Sequence, residues 1–325
     1  MRKSISGFAW IACLAGILLS GVAAAQERYP SRPVRMVVPF SAGTLVDIIG
    51  RWYAQELTRR LGQNFIADNR AGAGGTVGSA VVAGANPDGH TMLMISSGHA
   101  VNQALYPKLP YDTLRDFATV AVVATSPTVL VINPELGPKS VKEFIAHAKQ
   151  QGGKLNYGSA GSGSATHLAP EYFRQVAGFD ITHIPFKGVQ EAVTDVIAGR
   201  VHVAFPPVAL ALSQVRSGRL LALAVTGTER SALLPNVPTV QESGFPGFEF
   251  GIWYGLFAPA RTPQAVMDRL AQEIRAITDL PEMRERMSAQ GIVPVHRFLK
   301  EADAFVASEV DKLGKLIKAS GARAG

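Results

Sequence analysis

The chain has 325 residues, a formal net charge of +7 and a single cysteine. Its basic residues are scattered, with no run of five, which argues against a nucleic-acid stripe and fits a soluble protein that meets acidic small molecules. The cysteine, Cys13, lies in an N-terminal apolar run, so the rest of the chain has no disulfide, no reactive thiol and no Cys-ligated metal.

That N-terminal run reads as a targeting segment. Arg2 and Lys3 precede apolar residues 8–22, and Ala23-Ala24-Ala25 offers a small-residue cleavage site before Gln26. The run is shorter than the ~20 residues a membrane span needs. Residues 1–25 are therefore expected to be a cleaved signal peptide, with an uncleaved anchor as the alternative. Their removal leaves 325 − 25 = 300 residues, enough for one large or two medium α/β domains. The net charge falls to +5 because Arg2 and Lys3 leave.

Downstream, strand-like and helix-like segments alternate. Strands are predicted over 35–39, 64–67, 91–95 and 120–124. A second series is predicted over 129–133, 155–157, 181–185, 201–205 and 220–226. Residues 248–259 read as an apolar return strand, and only helices are expected after it. Val46, Ile49, Tyr53 and Leu57 make a one-faced helical stripe, and Ser140 with Glu143 forms a capping box. Thr262-Pro263 reads as a cap followed by a first-turn proline. In the C-terminal tail, Ala302, Phe305, Val306, Val310, Leu313 and Ile317 share one side.

This rhythm predicts an α/β fold of largely parallel sheets with helices on both faces. A chain that builds one sheet, then another, then returns to the first makes two crossovers, expected at 124–127 and 246–250. The expected organisation is two doubly wound lobes on a two-crossover hinge. Residues 26–125 and 249–325 form the first lobe and residues 126–248 the second.

Two loops stand out because each follows a strand and opens a helix. Lys154-Leu-Asn-Tyr-Gly-Ser-Ala-Gly-Ser-Gly-Ser-Ala-Thr-His167 is rich in glycine and serine, which cannot pack a core. Val34-Arg-Met-Val-Val-Pro-Phe-Ser-Ala-Gly-Thr-Leu-Val-Asp47 has the same outline. First-turn amides lack internal partners and sit at the positive end of the helix dipole, so a carboxylate or phosphate fits there. In open α/β sheets ligands bind beyond the carboxyl ends of strands, where both loops lie.

Enzyme signatures are missing. Ser159, Ser162 and Ser164 lack the glycine pair of a hydrolase elbow. Gly153-Lys154 is followed by Leu155, so there is no phosphate-binding P-loop, and the run from Gly72 lacks the third glycine of a dinucleotide fingerprint at Val77. The histidines are dispersed without metal spacing. His167 reads as a helix-surface or structural residue, with a cleft-lining role as the alternative, His99 as either cleft or scaffold, Lys187 as a solvated lysine or an anion attractor, and Asp47 as a cap or, alternatively, an orienter of the loop.

Eight segments in order carry a family resemblance: Val38-Pro-Phe-Ser-Ala-Gly, Asp68-Asn-Arg-Ala-Gly-Ala-Gly-Gly-Thr-Val-Gly, Pro87-Asp-Gly-His-Thr-Met-Leu-Met94, Leu109-Pro-Tyr-Asp, Leu155-Asn-Tyr-Gly-Ser-Ala-Gly-Ser-Gly-Ser, Pro185-Phe-Lys-Gly188, Leu223-Ala-Val-Thr226 and Val237-Pro-Thr-Val240. Together they resemble the Bordetella-uptake (Bug) family, the periplasmic receptors of tripartite tricarboxylate transporters. The resemblance implies a hinged, periplasmic-binding-protein-like fold. It also implies an organic carboxylate as ligand, the transporter's membrane subunits as partner, a periplasmic location, a monomer, and neither enzymatic activity nor a cofactor or metal. Carried over, the ligand-binding positions are Phe40, Ala42, Gly43 and Thr44 in the first loop and Ser159, Ala160, Gly161, Gly163, Ser164 and Thr166 in the second.

The chain departs from the family pattern where Ser41-Ala42-Gly43-Thr44 replaces Pro-Pro-Gly-Gly, and where Pro206-Pro207 follows Phe205 in place of Asp or Asn. Pro206 thereby joins the ligand-binding set as a residue without a polar side chain. The expected ligand lacks an amino group and is more apolar than aspartate. Two other readings share this sequence: a ligand sensor that docks on a sensor-kinase ectodomain, and a hydrolase or lyase on the same fold.

Overall fold

The structure, a computed structural model, describes residues 29–106, 108–186 and 188–320. The predicted signal segment, Cys13 and Lys187 lie outside them. The described chain opens with β1 (Val34–Val38), α1 (Leu45–Leu61), β2 (Phe65–Asn69), α2 (Thr76–Ala83), β3 (Thr91–Ser96), α3 (Gly98–Leu105) and β4 (Phe117–Pro127). It crosses at Thr128 into β5 (Val129–Ile132), α4 (Val141–Gln151), β6 (Asn156–Ser159), α5 (Ala165–Ala177), β7 (Thr182–Pro185), α6 (Val189–Ile197), β8 (Val203–Ala204), α7 (Val208–Arg216) and β9 (Leu221–Val225). It then returns through β10 (Gly251–Pro259), α8 (Gln264–Thr278), α9 (Pro281–Ala289), β11 (Val293–Phe298) and α10 (Lys300–Ser320).

Two mixed sheets result among the described residues. The first has six strands in the order β11-β4-β10-β3-β1-β2, and the second five in the order β7-β6-β8-β5-β9. Strand β1 runs parallel to β2 and β3, and β6 runs parallel to β7 and β8. Every pairing made by β10, β11 or β5 is antiparallel. The largely parallel arrangement expected from the alternating pattern is thus corrected. The β-α-β units are parallel, but the strands that carry the chain between the sheets enter against that direction.

A second correction is β11. Pro294, His296 and Arg297 interrupt its apolar pattern, and its register against β4 shifts between Pro294 and Arg297, as suits an edge strand. At α8 the cap is displaced by one residue. Pro263 occupies the N-cap, while the Thr262 hydroxyl donates to the Pro259 carbonyl at 2.8 Å. Ser140 does cap α4, accepting from the Glu143 amide at 3.2 Å, while the Glu143 carboxylate accepts from the Lys139 amide.

The crossings are tied together by two buried threonines. The Thr128 amide donates to Thr226 Oγ1 and the Thr226 amide to the Thr128 carbonyl, both at 2.9 Å. One core lies under α1 and α8, where Ile49, Tyr53, Leu57, Leu270 and Ile274 pack on Met92 and Met94. Another is continuous across both sheets. In it Leu105, Trp253 and the α10 residues Val306, Leu313 and Leu316 meet Leu168, Phe173 and Tyr157 of the second sheet's layer. Helix α10 packs on α3, β4 and α5, so it bridges the sheets.

Candidate functional site

The first loop leaves β1 and is open to solvent. Ser41, Ala42 and Gly43 are exposed, and Phe40 is half-buried. Behind them sits a polar anchor. Asp47, on the first turn of α1, accepts from the Gly43 amide at 2.9 Å, from Asn69 Nδ2 at 2.9 Å and from Arg51 Nε at 3.0 Å. Asn69 also donates to the Phe40 carbonyl at 3.0 Å. Burial pushes the Asp47 carboxyl up, but the hydrogen bonds from Arg51, Gly43 and Asn69 outweigh it and hold the group below the usual carboxylate range. Thr44 has N-cap geometry, yet its hydroxyl donates to the Ser41 carbonyl at 2.8 Å and caps no helix amide. The amides of Ser41, Ala42, Leu45 and Val46 have no acceptor among the described residues.

The second loop is built differently. The Ala160 amide donates to Thr166 Oγ1 at 2.9 Å and the Gly161 amide to Ser159 Oγ at 3.1 Å. The Gly163 amide donates to His167 Nδ1 at 3.0 Å and the Ser164 amide to the Gly161 carbonyl at 3.2 Å. Ser164 caps α5 by accepting from the His167 amide. Four amides expected to be unpaired are therefore satisfied inside the loop, two by the hydroxyls of Ser159 and Thr166, one by the His167 ring and one by the Gly161 carbonyl. Among the described residues, the amides of Ser162, Ala165 and Thr166 lack an acceptor.

Under this loop lies a stack of rings. His167 and His183 are nearly parallel at 4.1 Å between centroids, and Tyr157 stacks on His183 at 4.9 Å. His183 Nε2 is 2.6 Å from Ser159 Oγ, and Tyr157 donates to the Glu171 carboxylate at 2.7 Å. Burial, reinforced by His183, pushes the His167 ring down to about 4.

A chain of contacts joins the two loops. Gly163 has φ +78°, and a Cβ there would overlap the Leu105 side chain at the end of α3. The next residue, Tyr106, lies over Gly74, where an added Cβ would be 2.9 Å from its hydroxyl. Gly75 in turn lies under the Phe40 ring, 3.4 Å from an added Cβ to Phe40 Cζ. Loop two of the second sheet thus rests on the first sheet's layer, beside the segment that supports Phe40.

Pro206 is not brought into this group by any contact described. It is buried, and its carbonyl accepts from the Val129 amide at 2.9 Å, closing the crossing. His99 is scaffold. It is fully enclosed by Tyr111, Phe117 and Phe257, burial pushes its ring down to about 3, and both nitrogens lack a partner among the described residues. Cavities of 220–420 Å³ lie elsewhere, and none of them is lined by residues 40–44 or 159–166. Among the described residues there is no metal-ligating cluster and no helix long and apolar enough to cross a membrane.

Sequence reasoning missed Asn69, Leu105 and His183. Asn69 stands in the quoted Asp68-Asn-Arg segment, which hinted at it. Nothing in the sequence pairs Leu105 with Gly163 or His183 with Ser159.

Comparison with known proteins decides the family. The profile of TctC, the tripartite tricarboxylate transporter family receptor, matches residues 49–322. The chain belongs to this family. The periplasmic binding protein BugD has 34% sequence identity to it and a TM-score of 0.75, covering 91% of this chain and 99% of that one. R. palustris Rpa4515, solved with adipate, has 31% identity and a TM-score of 0.78 over 90% of this chain and 98% of that one. MatC from Rhodopseudomonas palustris, solved with bound malate, has 31% identity and a TM-score of 0.74 over 89% of this chain and all of that one (100%). The chain is thus of the solute-binding, Bug-related type and has the periplasmic-binding-protein fold expected from the sequence.

Proposed function

We propose that this TctC receptor works in the periplasm. There it captures an organic carboxylate between two lobes and hands it to the membrane subunits of a tripartite transporter. Residues 26–125 with 249–325 are the first lobe, residues 126–248 the second, and the lobes part about the Thr128–Thr226 crossing. The observation that supports the reading is the chain of contacts from Gly163 to Leu105, and from its neighbour Tyr106 through Gly74 and Gly75 to Phe40, with amides left over in both strand-end loops. A carboxylate taken out of water needs such preorganised N–H donors.

The ligand-contacting groups on this reading are the amides of Ser41 and Ala42, opposite those of Ser162, Ala165 and Thr166 at the positive end of α5. Phe40, Gly43 and Thr44 shape the first side; Ser159, Ala160, Gly161, Gly163 and Ser164 shape the second. No catalytic step is assigned to any of them, and no cofactor or metal is invoked. The relatives solved with adipate and malate support a dicarboxylate. The departures from the family pattern, Thr44 in place of glycine and Pro206 in place of Asp or Asn, favour an acid without an amino group and more apolar than aspartate.

Calorimetry with adipate, malate, terephthalate, benzoate and aspartate tests this. Binding of one or more of the first four, with aspartate weak, is the expected result. Tight binding of aspartate alone overturns the ligand assignment, and no binding by any acid overturns the receptor reading. Loss of uptake of the bound acid on gene deletion tests the transport role. Intact uptake with lost induction of the uptake genes would assign a sensor instead.

A further inference from the structure

We infer that His167 and Leu105 together position the second loop: the neutral His167 ring holds Gly163 by its amide, and Leu105 of the other lobe seats against the same glycine. The inference rests on the carboxylate-receptor reading, because it assigns the loop's shape to ligand capture.

The geometry leaves little freedom. Gly163 donates to His167 Nδ1 at 3.0 Å, so that nitrogen must present a lone pair. Gly163 has a positive φ, and the Leu105 side chain fills the space a Cβ would take. The amide bond and the apolar contact therefore fix one residue from two sides, and the two sides belong to different lobes. Closing the lobes makes the Leu105 contact, while the histidine keeps Gly163 where Leu105 can reach it. The adjacent Ala165 and Thr166 amides, which face no acceptor among the described residues, are set in place by the same arrangement.

The charged surroundings favour the neutral ring. From β7, the His183 ring stacks on it at 4.1 Å, and its charge would oppose a second one. From β6, Tyr157 stacks at 6.2 Å. From α5 itself, Glu171 favours a proton on the ring and Arg174 opposes it. The Glu171 carboxylate is already engaged by the Tyr157 hydroxyl at 2.7 Å and by Arg174 at 2.7 Å. Helix α3 meets Gly163 through the apolar Leu105 side chain, and α10, which also packs on α5, places Lys312 Nζ 6.0 Å from the centre of the Tyr172 ring. A proton on Nδ1 would set N–H against N–H and release Gly163.

Three variants of the full-length receptor test this, each read by Gly163 amide exchange in ligand-free protein and by adipate calorimetry. His167→Phe, which removes the acceptor, should expose the Gly163 amide and weaken adipate binding about tenfold, as befits one lost hydrogen bond. His167→Asn, whose carbonyl can accept, should restore most of both. Leu105→Ala should weaken adipate binding while leaving Gly163 exchange unchanged in the ligand-free protein. In the wild type, the Gly163 amide resonance should titrate with the His167 ring, and in His167→Asn it should not.

A Gly163 amide that stays as protected in His167→Phe as in the wild type, or that titrates alike in wild type and His167→Asn, overturns the inference, whatever the ligand. So does adipate binding undiminished in Leu105→Ala. Should His167→Phe fail to fold, the His167→Asn titration and the Leu105→Ala affinity decide the matter. If adipate does not bind the wild type, the ligand reading fails, while the exchange measurements still decide the role of His167.

Discussion

At the end of β1 the amides of Ser41 and Ala42 meet no acceptor among the described residues, whereas at the end of β6 the amides of residues 160, 161, 163 and 164 are all bonded within the loop. The two regions share a strand–loop–helix outline and differ in where their hydrogen-bonding capacity is spent. In the first, an ionised Asp47 anchors the loop from below through Gly43, Arg51 and Asn69, leaving its rim open. In the second, short side chains and a histidine stack hold the loop from within. A loop of the second kind keeps its shape without a ligand and leaves only the amides of Ser162, Ala165 and Thr166 to offer; one of the first kind keeps its rim open. A carboxylate held between them would meet one rigid wall and one adaptable wall.

The largest expected effect comes from two buried histidines, His99 in the scaffold of the first sheet's layer and His167 under the second loop. His99 and His167 are pushed down to about 3 and about 4, so the folded state binds their protons more weakly than the unfolded chain, whose value is about 6.5. Their contribution to stability is present above pH ~6.5 and is lost as pH falls toward those folded-state values. Urea unfolding at pH 7.5 and pH 5 should differ by about 2 kcal/mol for each ring, some 4 kcal/mol together. His99→Phe removes one of the two, and because both nitrogens of His99 are orphaned, it should also raise stability at pH 7.5. A pH dependence that vanishes entirely in His99→Phe would show that the second region does not depend on a neutral His167.

Next in size is the anchor of the first loop. Asp47→Ala strands the Gly43 amide and the Asn69 side chain and should cost about 2–3 kcal/mol in thermal or urea unfolding. Asp47→Asn, which still accepts one bond, should cost roughly half that. Equal stability of all three proteins would mean that the first region is as self-sufficient as the second.

The smallest effect is the sharpest comparison. Ser164 and Thr44 occupy the same place, the N-cap, in the two units. Ser164 accepts from a helix amide and Thr44 does not. Ser164→Ala should cost about 1 kcal/mol, and Thr44→Ala only a few tenths, measured by the same unfolding experiments. Equal losses would remove the contrast at its most local level.

Much of this architecture is legible in the residues. The stripe of Val46, Ile49, Tyr53 and Leu57 is buried as its spacing requires, and the Ser140 cap forms. What the sequence could not convey is pairing across space. The antiparallel entry of β10 depends on where the chain comes from after β9, which no local pattern records. Strand β11 is hidden because an edge strand needs only one apolar neighbour and tolerates Pro294 and Arg297. At the site, glycine and serine announce a loop of unusual shape but not whether its amides are spent. That depends on Thr166 and His167 folding back one helical turn, and on His183 arriving from another strand.

Strand β10 has a consequence for the order in which the molecule forms. It lies between β3 and β4, so the first sheet lacks its middle until residue 259 has been made. The second sheet is complete once β9 ends at Val225. The part of the chain synthesised first therefore finishes last, waiting as separated pieces while the later-made half assembles. A nascent polypeptide of about 240 residues should carry one protease-resistant half, and it is the younger one.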